Sequence, residues 1–369
     1  MALHENLQLF DAEYMEVRNM SHRICRLPGD GIGHDVMKAA MIVMDKIPLD
    51  IQWVDADAGW CMWEKFGNTV PEATWKALEG TECCLFGAIT SKPGIKGFQS
   101  AILQIRQKFD LYINLRPFKS YPGVPLNYRD NIDMVLFREN SEDLYSGVEF
   151  YPTPVEFFNM HPKMERFRGK DVAISCRVIT REGCRRICEA AFKYAAEKGR
   201  KRMTCVHKAN VIRLSDGIFL EEFRRVAEKY PQIETTEENV DAVAMWFIKK
   251  PEFYDVIVTT NMFGDILSDE AAQLVGSLGF AASANIGDNY ALFEPSHGSA
   301  PKYAGQFKVN PTAMLFSARM MLEWLGEKEW AERLETAIAK VLQEGKVRTY
   351  DVGGTNTTLE VAEEVARNL

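Results

Sequence analysis

Short apolar runs alternate with amphipathic helical stretches along nearly the whole chain, and that alternation restricts the fold more than any other feature. HRICRLP, IQWVDAD, CCLFGA, IDMVLFR, DVAISCRVI, MTCVHK and YDVIVTT have the length and apolar content of strands. Between them, HDVMKAAMIVMDKI, EATWKALEG, EGCRRICEAAFKYAAEKG, SDGIFLEEFRRVAEKY, EENVDAVAMWFIKK and DEAAQLVGSLG read as helices. An α/β protein follows. Its 369 residues suffice for one large domain or two moderate ones. RPFKSYPGVPLNYRDN, rich in Pro, Tyr and basic residues, reads as a crossing between domains, and YPTPVEFFNMHPKMERFRGK as an extended arm.

Composition narrows the partners. A formal net charge of −8 argues against nucleic acid, which selects a basic face, but leaves room for an anionic small molecule held by a few arginines. No stretch has the apolar length of a membrane span. The opening MALHENLQLFDAEYMEVRNM is polar and acidic, unlike a signal or transit peptide, so a cytoplasmic location is expected. The 8 cysteines show neither CxxC spacing nor paired Cys/His spacing and read as reduced and mostly buried.

Six motifs hold the residues able to do chemistry. Leu27-Pro28-Gly29-Asp30-Gly31-Ile32-Gly33 lies between a strand and a helix; its glycine spacing does not fit GxGxxG, so a tight turn is the plainer reading. Arg106 sits on a helix, Arg116 in the strand-like YINLRPF, and Arg138 directly after IDMVLF. A surface salt bridge explains any one of them; three convergent guanidiniums would clamp carboxylates bidentately. Tyr145 stands in the polar loop Asn140–Gly147, where it either packs its ring or donates a proton to a developing carbanion. Lys208, in His207-Lys208-Ala209-Asn210, ends a buried strand and is either a solvated lysine or a base.

The most specific local pattern is Asp255–Thr260 followed by Asn261-Met262-Phe263-Gly264 and a helix read as opening at Asp265. Asp265 and Asp269 are i, i+4 and share a helix face; capping explains one of them but not both. A hard cation, Mg²⁺ or Mn²⁺, takes a few carboxylates and keeps other positions for water and substrate, and Asp241 is a third candidate ligand. Last, Glu294-Pro295-Ser296-His297-Gly298-Ser299-Ala300-Pro301-Lys302-Tyr303 is a loop of small residues whose amides suit a nucleotide phosphate.

Taken in order, LPGDGIG, LRPF, RENSEDLYSG, HKAN, NMFGDILSD and EPSHGSAP resemble the β-decarboxylating dehydrogenases: those for isocitrate, isopropylmalate, homoisocitrate and tartrate. The resemblance runs from about Ile24 to the end. It implies the two-domain isocitrate/isopropylmalate dehydrogenase-like α/β fold, not a Rossmann fold. The large cofactor-binding domain would be discontinuous (24–115 and 277–369). A small domain (116–276) would carry the arm and dimer interface, after an N-terminal extension (1–23). The resemblance also implies a homodimer with shared sites. Arg106, Arg116 and Arg138 would bind the malate moiety, with Ser100 and Asn210 as further substrate contacts and Tyr145 as proton donor. Lys208 and Asp241 would come from the neighbouring subunit, Lys208 acting with an aspartate as base, and Asp241, Asp265 and Asp269 would hold Mg²⁺ or Mn²⁺. Ile89, Thr90, His297, Gly298, Ser299, Ala300, Lys302, Tyr303, Val309, Asn310 and Tyr350 would line the nicotinamide nucleotide.

The implied substrate is a 2-hydroxy acid. Ser100, six residues before Arg106, matches isocitrate dehydrogenases and places isocitrate first. Ile102-Leu103 is the apolar pair of isopropylmalate dehydrogenases and keeps isopropylmalate, or homoisocitrate, as the alternative; a non-catalytic regulatory subunit is a further one. Lys302, Tyr303, Val309, Asn310 and Tyr350 match NADP users, although Gly353-Gly354-Thr355 stands where those enzymes carry an arginine, and NAD is the second choice.

Overall fold

The computed structural model describes residues 21–369 apart from Pro93. Residues 1–20 of the expected extension lie outside the described residues, and the first strand begins at His22, inside it. The strands are β1 His22–Gly29, β2 Ile51–Asp55, β3 Cys83–Ala88, β4 Ile113–Lys119, β5 Asp133–Glu139, β6 Glu149–Phe150, β7 Ile174–Ser175, β8 Arg202–His207, β9 Glu234–Asn239, β10 Val256–Thr259, β11 Ala282–Ile286 and β12 Ala291–Pro295. Ten of them form one sheet in the order β2-β1-β3-β12-β11-β4-β5-β10-β8-β9.

Two parallel wings make up this sheet, β2-β1-β3-β12 and β5-β10-β8-β9. Three successive antiparallel pairings, β12–β11, β11–β4 and β4–β5, join them and leave the wings running in opposite directions. The parallel strands β3, β8 and β10 are almost wholly buried, as strands covered on both faces must be. Four apolar clusters flank the sheet. Two draw on residues 24–124 and 280–365, the other two on residues 113–281. We propose the domain boundaries near 115 and 277 on this distribution. No described helix is long and apolar enough to cross a membrane.

Three elements differ from the sequence reading. DVAISCRVI supplies only the two residues of β7, which pairs with β6 in the arm and has no core beneath it. Glu234–Asn239, read in part as the start of a helix, is the edge strand β9; its polar residues face solvent on a sheet edge, and the helix begins only at Val240. The helix expected to open at Asp265 begins at Asn261, so neither Asp265 nor Asp269 caps it.

Candidate active site

At the junction of the wings, three guanidiniums gather around three acids, Asp265, Asp269 and Glu294. Arg106, Arg116 and Arg138 are all buried, the last almost completely. Arg138 donates Nη1 to Asp265 Oδ1, and its Nε and Nη2 to Asn261 Oδ1 at 2.9 and 2.6 Å. Arg116 Nη2 lies 3.7 Å from Asp265 Oδ1 and Nη1 3.9 Å from Asp269 Oδ1. Arg106 donates to Glu294 Oε1 at 3.1 Å. Burial, and then the nearby Arg138, push Arg116 down to about 10. Burial also lowers Arg106, Glu294 opposing it and Arg138 adding to it. Such mutual cost persists where an anion is to be held. Gly264 is required here, because a Cβ would meet Arg138 Cγ at 2.7 Å.

Tyr145, on a short 3-10 turn after β5, donates its hydroxyl to Asp265 Oδ2 and lies under Arg138, whose guanidinium carbon is 4.8 Å from the ring centroid. Burial, with the Asp265 hydrogen bond next, raises the Tyr145 phenol. Burial alone would raise Asp265, but Arg138, Tyr145, Arg116 and Arg106 outweigh it and hold this carboxyl low. Asp269 moves the opposite way: burial raises it, Asp265 adds to the effect, and Arg116 only partly offsets it.

Lys208 directly follows β8 and binds Asp241 Oδ1 of its own chain, an ion pair that lowers Asp241. Among the described residues, no three His, Cys, Asp or Glu side chains of one chain gather closely enough to hold a metal ion. Asp241 shares a face of the Val240–Lys249 helix with Met245 and Ile248, at i, i+4 and i+7. Met245 and Ile248 are 54% and 50% exposed, and Ile266, between Asp265 and Asp269 on the adjoining helix, is 60% exposed. Asn210 is exposed on the turn after Lys208.

A buried polar network unsuspected from the sequence underlies the arginines. Asn114 accepts from Arg116 Nε at 2.7 Å and donates to Ser283 Oγ and Asn285 Oδ1, both at 2.8 Å. Asn285 in turn donates to Glu294 Oε1 at 2.8 Å, the oxygen that Arg106 also reaches. Arg177, equally unremarked, donates to Asp143, Asp216 and Thr260. The only signal for Arg177 was a charged residue interrupting an apolar run, the signal that did point to Arg116 and Arg138.

The LPGDGIG motif is a structural turn, as its glycine spacing indicated. The Asp30 carboxylate accepts from the backbone of Trp60, Cys61 and Thr90 at 2.7–2.9 Å. Ile32 N donates to Ser299 O at 2.8 Å, and Gly31, at φ 56°, leaves no room for a Cβ against that carbonyl. Thr90 and Ser299 share a hydroxyl hydrogen bond of 2.6 Å, so the loops after β3 and β12 are tied side by side. Ile89 packs at the edge of the core beside them.

On the β12 loop, His297 Nε2 and Ser296 Oγ are buried without a hydrogen-bond partner, and burial holds the His297 imidazole below its usual range. Gly298 is exposed, and Ala300 takes φ 34°. Lys302 Nζ stands 4.7 Å from the Tyr303 ring centroid, and Tyr303 lies 6.0 Å from Tyr350. The Lys302 hydrogen bond, then that of Tyr350, lowers the Tyr303 phenol. Val309 and Asn310 are buried beneath, Asn310 donating to Asp351 at 3.1 Å.

The donors fit the groups that the resemblance implied. Two carboxylates one helical turn apart, one of them raised by burial, suit a hard divalent ion completed by a third acid from another chain. The orphaned Ser296 and His297 atoms and the exposed Lys302 over the Tyr303 ring suit a nucleotide with its phosphate.

Comparison with known proteins agrees with this arrangement. The family model described as isocitrate/isopropylmalate dehydrogenase matches residues 23–365. The 3-isopropylmalate dehydrogenase of Methanothermobacter thermautotrophicus is 47% identical over 349 residues, covering 95% of this chain and 99% of that one. The isocitrate/homoisocitrate dehydrogenase of Thermus thermophilus is 45% identical over 351 residues, with coverage of 95% and 99%. Among solved structures, the isocitrate dehydrogenase from Methylococcus capsulatus superposes with a TM-score of 0.86 at 39% identity, covering 94% of this chain and 99% of that one. Members of this family act on small hydroxy acids with NAD(P) and a divalent metal. With its three buried arginines paired with acids at the junction of the wings and the match running almost end to end, the chain belongs to the isocitrate/isopropylmalate dehydrogenase family of oxidatively decarboxylating enzymes.

Proposed function

We propose that this enzyme oxidatively decarboxylates a 3-substituted malate whose third substituent is apolar, 3-isopropylmalate above all. That reverses the order of preference drawn from the sequence. The observation that carries the substrate class is the set of three buried arginines, Arg116 and Arg138 beside Asp265 and Asp269 and Arg106 on Glu294. The observation that carries the apolar substituent is Leu103. Ile102 packs on the cluster beneath its helix, whereas Leu103 belongs to none of the four clusters and stands one turn from Arg106. The 3-isopropylmalate dehydrogenase relative supports the same order.

Isocitrate or homoisocitrate is the second reading. Ser100, at the N-cap of that helix, makes no capping bond and accepts from Ser91 at 3.3 Å, leaving its own hydrogen for a distal carboxylate.

In this reading Arg106, Arg116 and Arg138 fix the malate carboxylates, with Asn210 as a further contact. Lys208 of the partner subunit takes the hydroxyl proton, assisted by the paired aspartate, the hydride from the same carbon would go to the nicotinamide, and Tyr145 returns a proton to the carbon that has lost CO₂. Asp265 and Asp269, with Asp241 of the partner subunit, would hold Mg²⁺ or Mn²⁺, which supplies electron withdrawal from the hydroxyl and carbonyl oxygen. Thr90, His297, Gly298, Ser299 and Ala300 would receive the nucleotide, and Lys302, Tyr303 and Tyr350 favour NADP over NAD. Met245, Ile248 and Ile266 give the exposed apolar face on which two chains would pair as a homodimer.

The test is cofactor reduction with 3-isopropylmalate, isocitrate and homoisocitrate, each with NAD and NADP, with and without Mn²⁺. The reading requires the highest kcat/KM for 3-isopropylmalate. A higher value for isocitrate or homoisocitrate installs the second reading, and no turnover with any of them refutes both.

A further inference from the structure

We propose that Arg177 is a positioning residue that holds the proton donor, the base and the acid-bearing helix in one arrangement; the identity of those groups rests on the functional reading above. Arg177 lies where the arm returns to the body, between β7 and the Arg181–Glu197 helix. Its three nitrogens go to three separate elements. Nε donates to Asp143 Oδ1 at 2.8 Å, Nη1 to Asp216 Oδ1 and to Ser215 Oγ at 3.0 Å, and Nη2 to Thr260 Oγ1 at 2.8 Å.

Each contact leads directly to the chemistry. Asp143 is two residues before Tyr145, takes φ 69°, and accepts from Leu144 N at 2.9 Å and Met262 N at 3.1 Å. It therefore joins the Tyr145 turn to the first turn of the helix that bears Asp265 and Asp269. Asp216 accepts the backbone N–H of Lys208 at 2.6 Å. Thr260 is the residue on which the Asn261–Leu274 helix begins.

Asp143 and Asp216 are fully buried, so two carboxylates depend on one guanidinium and a few N–H groups for compensation. A lysine ammonium keeps the charge but gathers its three N–H donors on one nitrogen, so it cannot span three elements as the planar guanidinium fork does. The phenyl ring of Phe263, 5.2 Å from the guanidinium carbon, fixes its plane from one side. Within one chain Arg177 thus links Tyr145, which serves that chain's own site, to Lys208, which serves the partner's. None of its contacts involves Arg106, Arg116 or Arg138, which hold the substrate.

The experiment compares wild type, R177K and R177M as full-length protein, measuring kcat, KM, the solvent deuterium isotope effect on kcat and thermal melting. A small displacement of proton-transfer groups predicts a kcat lower by about 10-fold in R177K and about 100-fold in R177M, with KM for the acid within about twofold of wild type. The isotope effect should rise, because proton transfer then limits turnover. If R177M fails to fold, R177K, which keeps the charge, decides. Wild-type kcat in R177K, or a loss matched by KM with an unchanged isotope effect, overturns the proposal. A wild type inactive on every acid overturns the functional reading and this proposal together, whereas an active wild type with an unaffected R177K overturns only the role of Arg177.

Discussion

The phenol of Tyr145 donates to Oδ2 of Asp265, whose other oxygen accepts from Arg138. One carboxylate thus joins the candidate proton donor to an arginine of the substrate pocket. Tyr145 can deliver its proton to a carbon only by giving up that bond, so the donor is held in place until the site is filled. Tyr145→Phe should lower kcat by about 100-fold while leaving KM nearly unchanged, the usual scale for loss of one positioned acid. Steady-state kinetics across the substrate panel check this, and a KM increase that accounts for the whole loss would assign Tyr145 to binding.

Asp265 and Asp269 share a helix face but differ in what they do for the fold. Arg138 and Arg116 hold Asp265 low, so its contribution to stability is present above the ordinary carboxyl value and is lost as pH falls through the folded one. Burial raises Asp269, so its contribution is complete below the ordinary value and is lost as pH rises through the folded one; at neutral pH its charge is a cost. Asp265→Asn should therefore destabilise the metal-free protein by about 1–2 kcal/mol, less than for a fully buried pair because solvent reaches Asp265. Asp269→Asn should raise or preserve the metal-free melting temperature. Both should abolish the rise in melting temperature that Mn²⁺ gives the wild type. A normal Mn²⁺ response in either variant removes that residue from the metal site.

The cofactor assignment turns on an exposed cation. Lys302 lies over the Tyr303 ring, which in turn lies beside Tyr350, and in the proposed reading it meets a 2′-phosphate. Lys302→Asp should lower kcat/KM for NADP by about 10-fold or more through charge repulsion, and move the NADP/NAD ratio toward NAD. An unaltered ratio contradicts the assignment of Lys302.

Much of the fold was readable because its central strands are buried on both faces. CCLFGA, IDMVLFR, MTCVHK and YDVIVTT became β3, β5, β8 and β10 nearly residue for residue. β9 was not, since an edge strand of sequence Glu-Thr-Thr-Glu-Glu-Asn carries no apolar alternation. β11 and β12 escaped as well; Ala282–Ile286 is built of small and polar residues that only neighbouring strands make sense of. In the site, Arg116, Arg138 and Asp265 announced themselves as charges beside apolar strands. Asn114, Asn285 and Glu294 did not, because an amide or carboxylate of this kind gains meaning only from partners more than a hundred residues away.

The proposed mechanism requires one geometry: Lys208 and Asp241 of one chain complete the site formed by Asp265, Asp269 and Tyr145 of another. Co-expression of Lys208→Ala with Asp265→Asn, each inactive alone, tests it directly. In a two-fold symmetric dimer that mixes at random, half the dimers pair the two variants and one of their two sites is intact, so about a quarter of wild-type activity should return. Activity no greater than that of the separate variants, in a mixture shown to contain the mixed dimer, would contradict the account.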